Sequence, residues 1–331
     1  MEGFLPFTYQ RLAIVGLAKN VGKTTTLNWL VEEGDRQGHQ LGLASTGVDG
    51  EKQDVWDLHQ KPAINIKRGM WAATAKAALQ QSTAHVRIVE ELKSSSPMGP
   101  VYLVECIHDG QIKLAGTHMN QDVRQAIERF TQHGVTLSFI DGAYDRLASA
   151  QEELADAFIL CTGAALDADL ETAKRRTEEV LLRWDLPLWT ELQSVTEQKV
   201  GYLQEGKWNS LETPSLLASL EELRLKVAEG ISCLSIPGAL TEWVMQHFIH
   251  TRKPFAWIIE DPTKIFLTRN TIQRWFRMGG EIYLRRKSKL IALSVNPFSP
   301  QGEQESERWL HGMKEIAGEI LVIDAKRRHI I

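Results

Sequence analysis

The chain has 331 residues, of which 43% are hydrophobic and 24% charged, and its formal net charge is -4. That is long enough for one large α/β domain or two smaller ones, with two expected, and the composition excludes a disordered chain. A charge this close to balance predicts neither nucleic acid nor an anionic membrane as partner.

Short apolar runs alternate with helical patterns through the first half, the signature of a mostly parallel sheet covered by helices on both faces. The expected strands are Leu12–Val15, Leu41–Ala44, Val101–Cys106, Ile112–Leu114, Leu137–Ile140 and Phe158–Cys161. Apolar recurrence every three to four residues predicts helices over Lys23–Gln37, Trp71–Gln80, Gln121–Gln132 and Asp169–Arg183. His108-Asp109-Gly110 reads as the turn of a β-hairpin joining Val101–Cys106 to Ile112–Leu114, and KSSSPMGP before it as a loop.

The character changes after RWDLPLW, where Val200–Leu203 and Lys207-Trp208 read as a small hairpin. Further strands and helices follow, with no glycine-rich phosphate loop among them. The expected organisation is therefore residues 1–193 as one α/β domain and 194–331 as a smaller C-terminal α/β domain, available for a partner. The run Arg285-Arg286-Lys287 reads as a solvated strand end, and the tryptophans in helical stretches read as packing groups. Cys106, Cys161 and Cys233 lie in apolar runs without metal-ligand spacing, which predicts buried, reduced thiols. No apolar run reaches about 18 residues and no signal-like segment is evident, so the expected location is cytoplasmic.

One stretch carries chemistry: GLAKNVGKTTTLN, Gly16 to Asn28, between an apolar strand and an amphipathic helix. Helix N-termini attract anions because their first amides lack intrahelical partners. Gly22-Lys23-Thr24 adds a cationic side chain and a hydroxyl suited to Mg²⁺. The usual phosphate loop is G-x-x-x-x-G-K-[ST], and here Leu17 occupies the place of its first glycine, with Gly16 one residue early. The expected phosphate cradle comprises Gly16, Lys19, Asn20, Val21, Gly22, Lys23, Thr24 and Thr25; Lys19 either adds charge near phosphates or is solvated.

Such a site needs a carboxylate at a neighbouring strand end. Asp141 follows Leu137–Ile140 and is read either as the start of an Asp-Gly turn or, beside the loop, as a Mg²⁺ ligand together with Thr24. STGVDGEKQD, after Leu41–Ala44, offers Asp49 and then Glu51 for sensing the terminal phosphate or positioning water, against an ordinary exposed turn. Thr162 and Gly163 end another strand, where doubly wound sheets contact the nucleotide. Asn120 reads as a helix cap, with His118 beside it.

GLAKNVGKT resembles the loop of dethiobiotin synthetase and the cobyrinate amidating enzymes, G-T-x-T-x-V-G-K-T, in which the early glycine is a class marker. The resemblance implies the MinD-like branch of P-loop NTPases, a doubly wound mostly parallel sheet, and ATP or GTP bound with Mg²⁺. Ala18 stands where some members carry an extra signature lysine. Together with STGVDGE, IDGAYDR, ADAFILCTGAAL, GALTEW, EDPTKIFL and LIALSVNPFSP, the motif also resembles the P-loop subunit family of the lysine 5,6-aminomutase reactivase. That implies a nucleotide-driven accessory protein partnered by a cobalamin-dependent aminomutase or a companion ATPase subunit. A homodimer is compatible with the branch. The competing reading is a small-molecule ligase of dethiobiotin-synthetase type. No Asn/Thr-Lys-x-Asp guanine motif is evident, which leans toward ATP.

Overall fold

The computed structural model describes residues 8–46, 63–117, 119–142, 147–190, 199–212, 216–299 and 302–331. The chain divides into two compact units, one made of Met1–Thr177 with Ser288–Ile331 and the other of Glu178–Lys287.

The first unit is built on a ten-stranded sheet. Its strands in chain order are β1 (Arg11–Gly16), β2 (Leu41–Ser45), β3 (Trp71–Ala75), β4 (His85–Ser96), β5 (Gly99–His108), β6 (Leu137–Asp141), β7 (Ala157–Gly163), β8 (Lys289–Asn296), β9 (Leu321–Asp324) and β10 (His329–Ile330). In space the order is β10-β9-β8-β7-β1-β6-β2-β3-β5-β4. Six of the nine pairings are parallel. The antiparallel ones lie toward the edges, β3 with β5, β5 with β4 and β9 with β10.

The helices that matter for the site are α1 (Lys23–Arg36), α2 (Asn120–Gln132), α3 (Leu170–Asp185) and α4 (Ser306–Ala317). Leu27, Leu30 and Val31 of α1 share a core with Leu12, Ile14, Leu43 and Phe139. Full burial of Leu27 and Leu30 contributes roughly 2 kcal/mol each. Gly38, at φ +81°, lets the chain leave α1 in the left-handed region. Side chains alternate along strands, so Gly42, in register with Ser138, belongs to the opposite face. Phe130 of α2 lies against Gly42, where a Cβ would stand 2.7 Å from its ring. Helices therefore cover both faces.

The second unit has a five-stranded sheet in the order Lys207–Ser210, Gly201–Gln204, Cys233–Ile236, Ala256–Ile259, Glu281–Leu284. The last three are parallel, and the first two form the expected hairpin. Helices Leu220–Glu229, Glu242–Ile249 and Arg269–Arg277 accompany them, and Trp257, Trp275, Phe248 and Phe255 form an aromatic core.

Several expectations are corrected. The chain is not divided at 193/194: β8 pairs with β7 and β9 with β8 in the first sheet, so the second unit is an insertion and not a C-terminal domain. Its start falls within the continuous helix α3, where no linker marks it. Trp71–Ala75 is a strand and only Lys76–Leu79 is helical, because this alanine-rich run is buried along its whole length between β2 and β5. The hairpin of the first half joins β4 to β5 across the presumed loop, whereas Gly110–Ile112 pairs with Ile64–Ile66. The basic run is internally engaged: Arg285 donates to Ser235 Oγ at 2.5 Å, Arg286 meets Glu260 at 2.6 Å, and Lys287 Nζ donates to the carbonyls of Trp184 and Leu186. Trp243, expected to pack, is 56% exposed. All three cysteines are buried, and among the described residues no helix is long and apolar enough to cross a membrane.

Candidate functional site

Parallel strands bring their carboxyl ends to one edge of a sheet, and here the ends of β1, β6, β7 and β8 meet around the Gly16–Lys23 loop. The chain leaves β1 still attached to β7, because Leu17 N donates to Cys161 O at 3.0 Å. It then turns through Asn20 at φ +63° and Gly22 at φ +88°, both left-handed, before α1 begins at Lys23. Alternating backbone of this kind points amides into a concave, anion-favouring surface.

The early glycine now has a physical reason. A Cβ on Gly16 would stand 2.9 Å from Lys23 Cδ, 3.0 Å from Lys23 Cγ and 2.9 Å from Val21 Cγ2. The lysine stem therefore folds back over Gly16, and its position in this loop demands a residue without a side chain. Val21 is buried and anchors the loop in the core, Lys19 and Asn20 are exposed, Thr24 is half-buried and Thr25 is exposed.

No side chain caps α1, and its first turn carries no acidic residue. Among the described residues it is the only helix of eight or more residues lacking both features. Its positive end is thus left for something other than its own sequence neighbours. Behind that end Thr26 Oγ1 donates to Gly22 O at 3.0 Å and, its proton so used, accepts from Ser294 Oγ at 2.7 Å.

Asp141 closes β6 in register with Ile14 of β1 and Ser45 of β2 and is 6% exposed. Its carbonyl accepts from Thr46 N at 3.0 Å, and Gly142 N donates to Ile14 O at 2.9 Å, so the strand end is fixed beside the loop's origin. Burial pushes the Cys161 thiol up to about 11; the Thr26 hydroxyl and the Lys23 charge oppose that shift, and the Asp141 charge adds to it. Lys23 and Asp141 thus act on one buried point behind the loop from opposite signs.

The two strand-end residues Thr162 and Gly163 are both held by neighbouring elements. Thr162 is fully buried and its hydroxyl meets Thr177 Oγ1 at 2.8 Å, which turns it onto α3 and away from the loop. Gly163 is at φ +145°, and a Cβ there would stand 1.9 Å from the carbonyl oxygen of Asn296. Asn120 is the first residue of α2 rather than its cap and donates to Gln151 Oε1 at 2.9 Å. Asp49, Glu51 and His118 lie outside the described residues.

Sequence reasoning missed Asn296. Its Nδ2 donates to Asn20 O at 2.8 Å, and it fills the space beside Gly22, where a Cβ would lie 3.2 Å from its own. Nothing local marks it, since its partner is 276 residues away. Among the described residues no group of three or more His, Cys, Asp or Glu side chains is gathered to hold a metal. No protein-family model matches the chain, and no curated protein matches it either.

Proposed function

We propose that this protein binds a magnesium nucleoside triphosphate at the Gly16–Thr25 loop and hydrolyses it as an accessory, switch-type NTPase on a doubly wound P-loop sheet. The observation that carries the reading is the Lys23 stem folded over Gly16 at the uncapped start of α1. That arrangement concentrates a cation, a helix dipole and left-handed loop backbone on one spot, which suits a polyanion.

The donor set fits magnesium with phosphate. Mg²⁺ keeps most of its shell as water and phosphate oxygens and takes few protein ligands, so no protein cage is required. Thr24 would offer its hydroxyl and Asp141 its carboxylate, directly or through water. When bound, the metal neutralises charge on the phosphates. Lys23 would hold the outer phosphates and the loop amides the inner ones. Asp49 is proposed to orient water, with Glu51 in reserve.

On the resemblance of its motifs, the hydrolysis is proposed to drive release of damaged cofactor from a cobalamin-dependent aminomutase. The second unit, whose Gly206-Lys207 lies in a hairpin turn and does not open a helix, is then available to a mutase or a companion ATPase. Contacts to a terminal phosphate order nearby segments, and their relaxation after hydrolysis would time such release.

Titration calorimetry with magnesium and ATP or GTP tests the site. Lys23→Ala is expected to weaken binding by about 100-fold, with the circular dichroism spectrum unchanged. Equal affinity in the variant overturns the assignment. Turnover stimulated by a mutase supports the accessory role, whereas turnover stimulated by a metabolite carboxylate and by no protein favours the ligase reading.

A further inference from the structure

The loop is held from one side by its own neighbours, Leu17 on Cys161 and Val21 in the core. From the other side it is held by β8, the strand by which the chain returns from the inserted unit. Two polar contacts run from that strand to the loop and the first turn of α1. Ser294 donates into the Thr26 hydroxyl, which itself donates to Gly22 O, and Asn296 Nδ2 donates to Asn20 O.

We propose that Asn296, supported by Ser294, is a positioning residue that fixes the left-handed stretch Asn20–Gly22 and so sets the conformation in which the loop meets its ligand.

The Asn296 amide has its orientation determined twice. Nδ2 is spent on the Asn20 carbonyl, and Oδ1 accepts from Phe298 N at 3.2 Å, so a flipped amide would lose both bonds. Its Cβ stands where Gly22 has only hydrogens, and its carbonyl accepts from Ala164 N at 2.9 Å against Gly163. One residue thus locks the loop on one side and the end of β7 on the other. Asn20 is a non-glycine residue in the left-handed region, a conformation with an intrinsic cost that a tertiary contact must offset. The hydrogen bond falls on the carbonyl of that residue.

The effect on nucleotide affinity rests on the function proposed above; the effect on the loop does not. Hydrogen exchange on the full chain, free of nucleotide, separates the two. Asn296→Leu keeps a branched side chain of similar size and removes the donor. Amides of residues 17–22 are expected to exchange about fivefold faster, with those of β1 and β6 unchanged. Ser294→Ala is expected to act in the same direction and, as the smaller change, serves if the leucine variant does not fold. Calorimetry with magnesium and ATP or GTP is expected to show affinity about tenfold lower in Asn296→Leu, with the melting temperature close to wild type. Loop exchange indistinguishable from wild type overturns the proposal, as does acceleration spread equally over β7, β8 and the inserted unit. If wild type binds neither nucleotide while loop exchange responds as expected, the positioning role stands and the nucleotide reading falls.

Discussion

Both units place parallel strands before helices, yet α1 of the first unit and two helices of the second begin in opposite ways. In the second unit Thr241 accepts from Val244 N and Thr268 from Thr271 N, and the carboxylate of Glu242 adds negative charge at both helix starts. These ends are satisfied from within the chain. In the first unit α1 starts from Gly22 with no side-chain cap, no acid in its first turn and a lysine as its first residue. The glycines that follow the first parallel strand of each unit differ in the same sense. Gly238, after the first parallel strand of the second unit, has nothing within 4 Å of a Cβ position, whereas Gly16 is pressed by Lys23 and Val21. A helix end finished by its own side chains is a structural joint, and one left without them beside a tightly packed glycine suits the anion site proposed above.

The largest expected effect comes from Gly163, whose role is steric as well as conformational. Gly163→Ala sets a Cβ 1.9 Å from Asn296 O at φ +145°, and a loss of roughly 3 kcal/mol or more in unfolding free energy is expected. Gly206, at φ +73° in the hairpin of the second unit, has open space around it, so Gly206→Asn is expected to cost less than about 1 kcal/mol. Urea unfolding of the two variants checks the contrast. Similar losses in both would mean that the close packing around the strand ends of the first unit carries no special weight.

Next is Gly16. Gly16→Val must displace the Lys23 stem or Val21, so nucleotide affinity is expected to fall about 100-fold with only modest loss of stability. Gly238→Ala is the matched control and is expected to leave affinity unchanged. If Gly16→Val binds magnesium nucleotide like wild type, the early glycine is not what places the lysine.

Much of this contrast was legible in the sequence, and what was not has identifiable causes. Leu12–Val15, Leu137–Ile140 and Phe158–Cys161 are apolar runs buried along their length, and α1, α2 and α3 show clear helical recurrence. The loop was legible because its glycine, lysine and threonine are close in sequence. Trp71–Ala75 was not, since a run buried on both faces has no period to separate strand from helix. Asp109-Gly110 has the sequence of a hairpin turn, but Asp109 accepts from Arg68 N and Gly110 is required by the close approach of Ala84 backbone. The insertion was hidden because it begins inside a helix, and Asn296 because its meaning depends on pairing between distant strands.

The smallest expected effect tests the charge half of the contrast. Glu242 is the first residue of its helix; one carboxylate oxygen accepts from Thr268 N and the other from Thr271 Oγ1 at 2.7 Å. Burial pushes its carboxyl up, but the bonds from Thr268 and Thr271 outweigh burial and hold it below the ordinary 4.5. A carboxyl lowered on folding contributes stability that is fully present above 4.5 and is lost as pH falls through the folded value. Glu242→Gln is therefore expected to cost about 1 kcal/mol at about pH 7 and progressively less as pH falls below 4.5, as read by urea unfolding. A gap that persists in acid would show that packing, and not the negative charge at two helix starts, is what Glu242 supplies. The start of α1 has no such carboxylate in its first turn, so a gap that closes in acid would leave the contrast between the two units resting on charge.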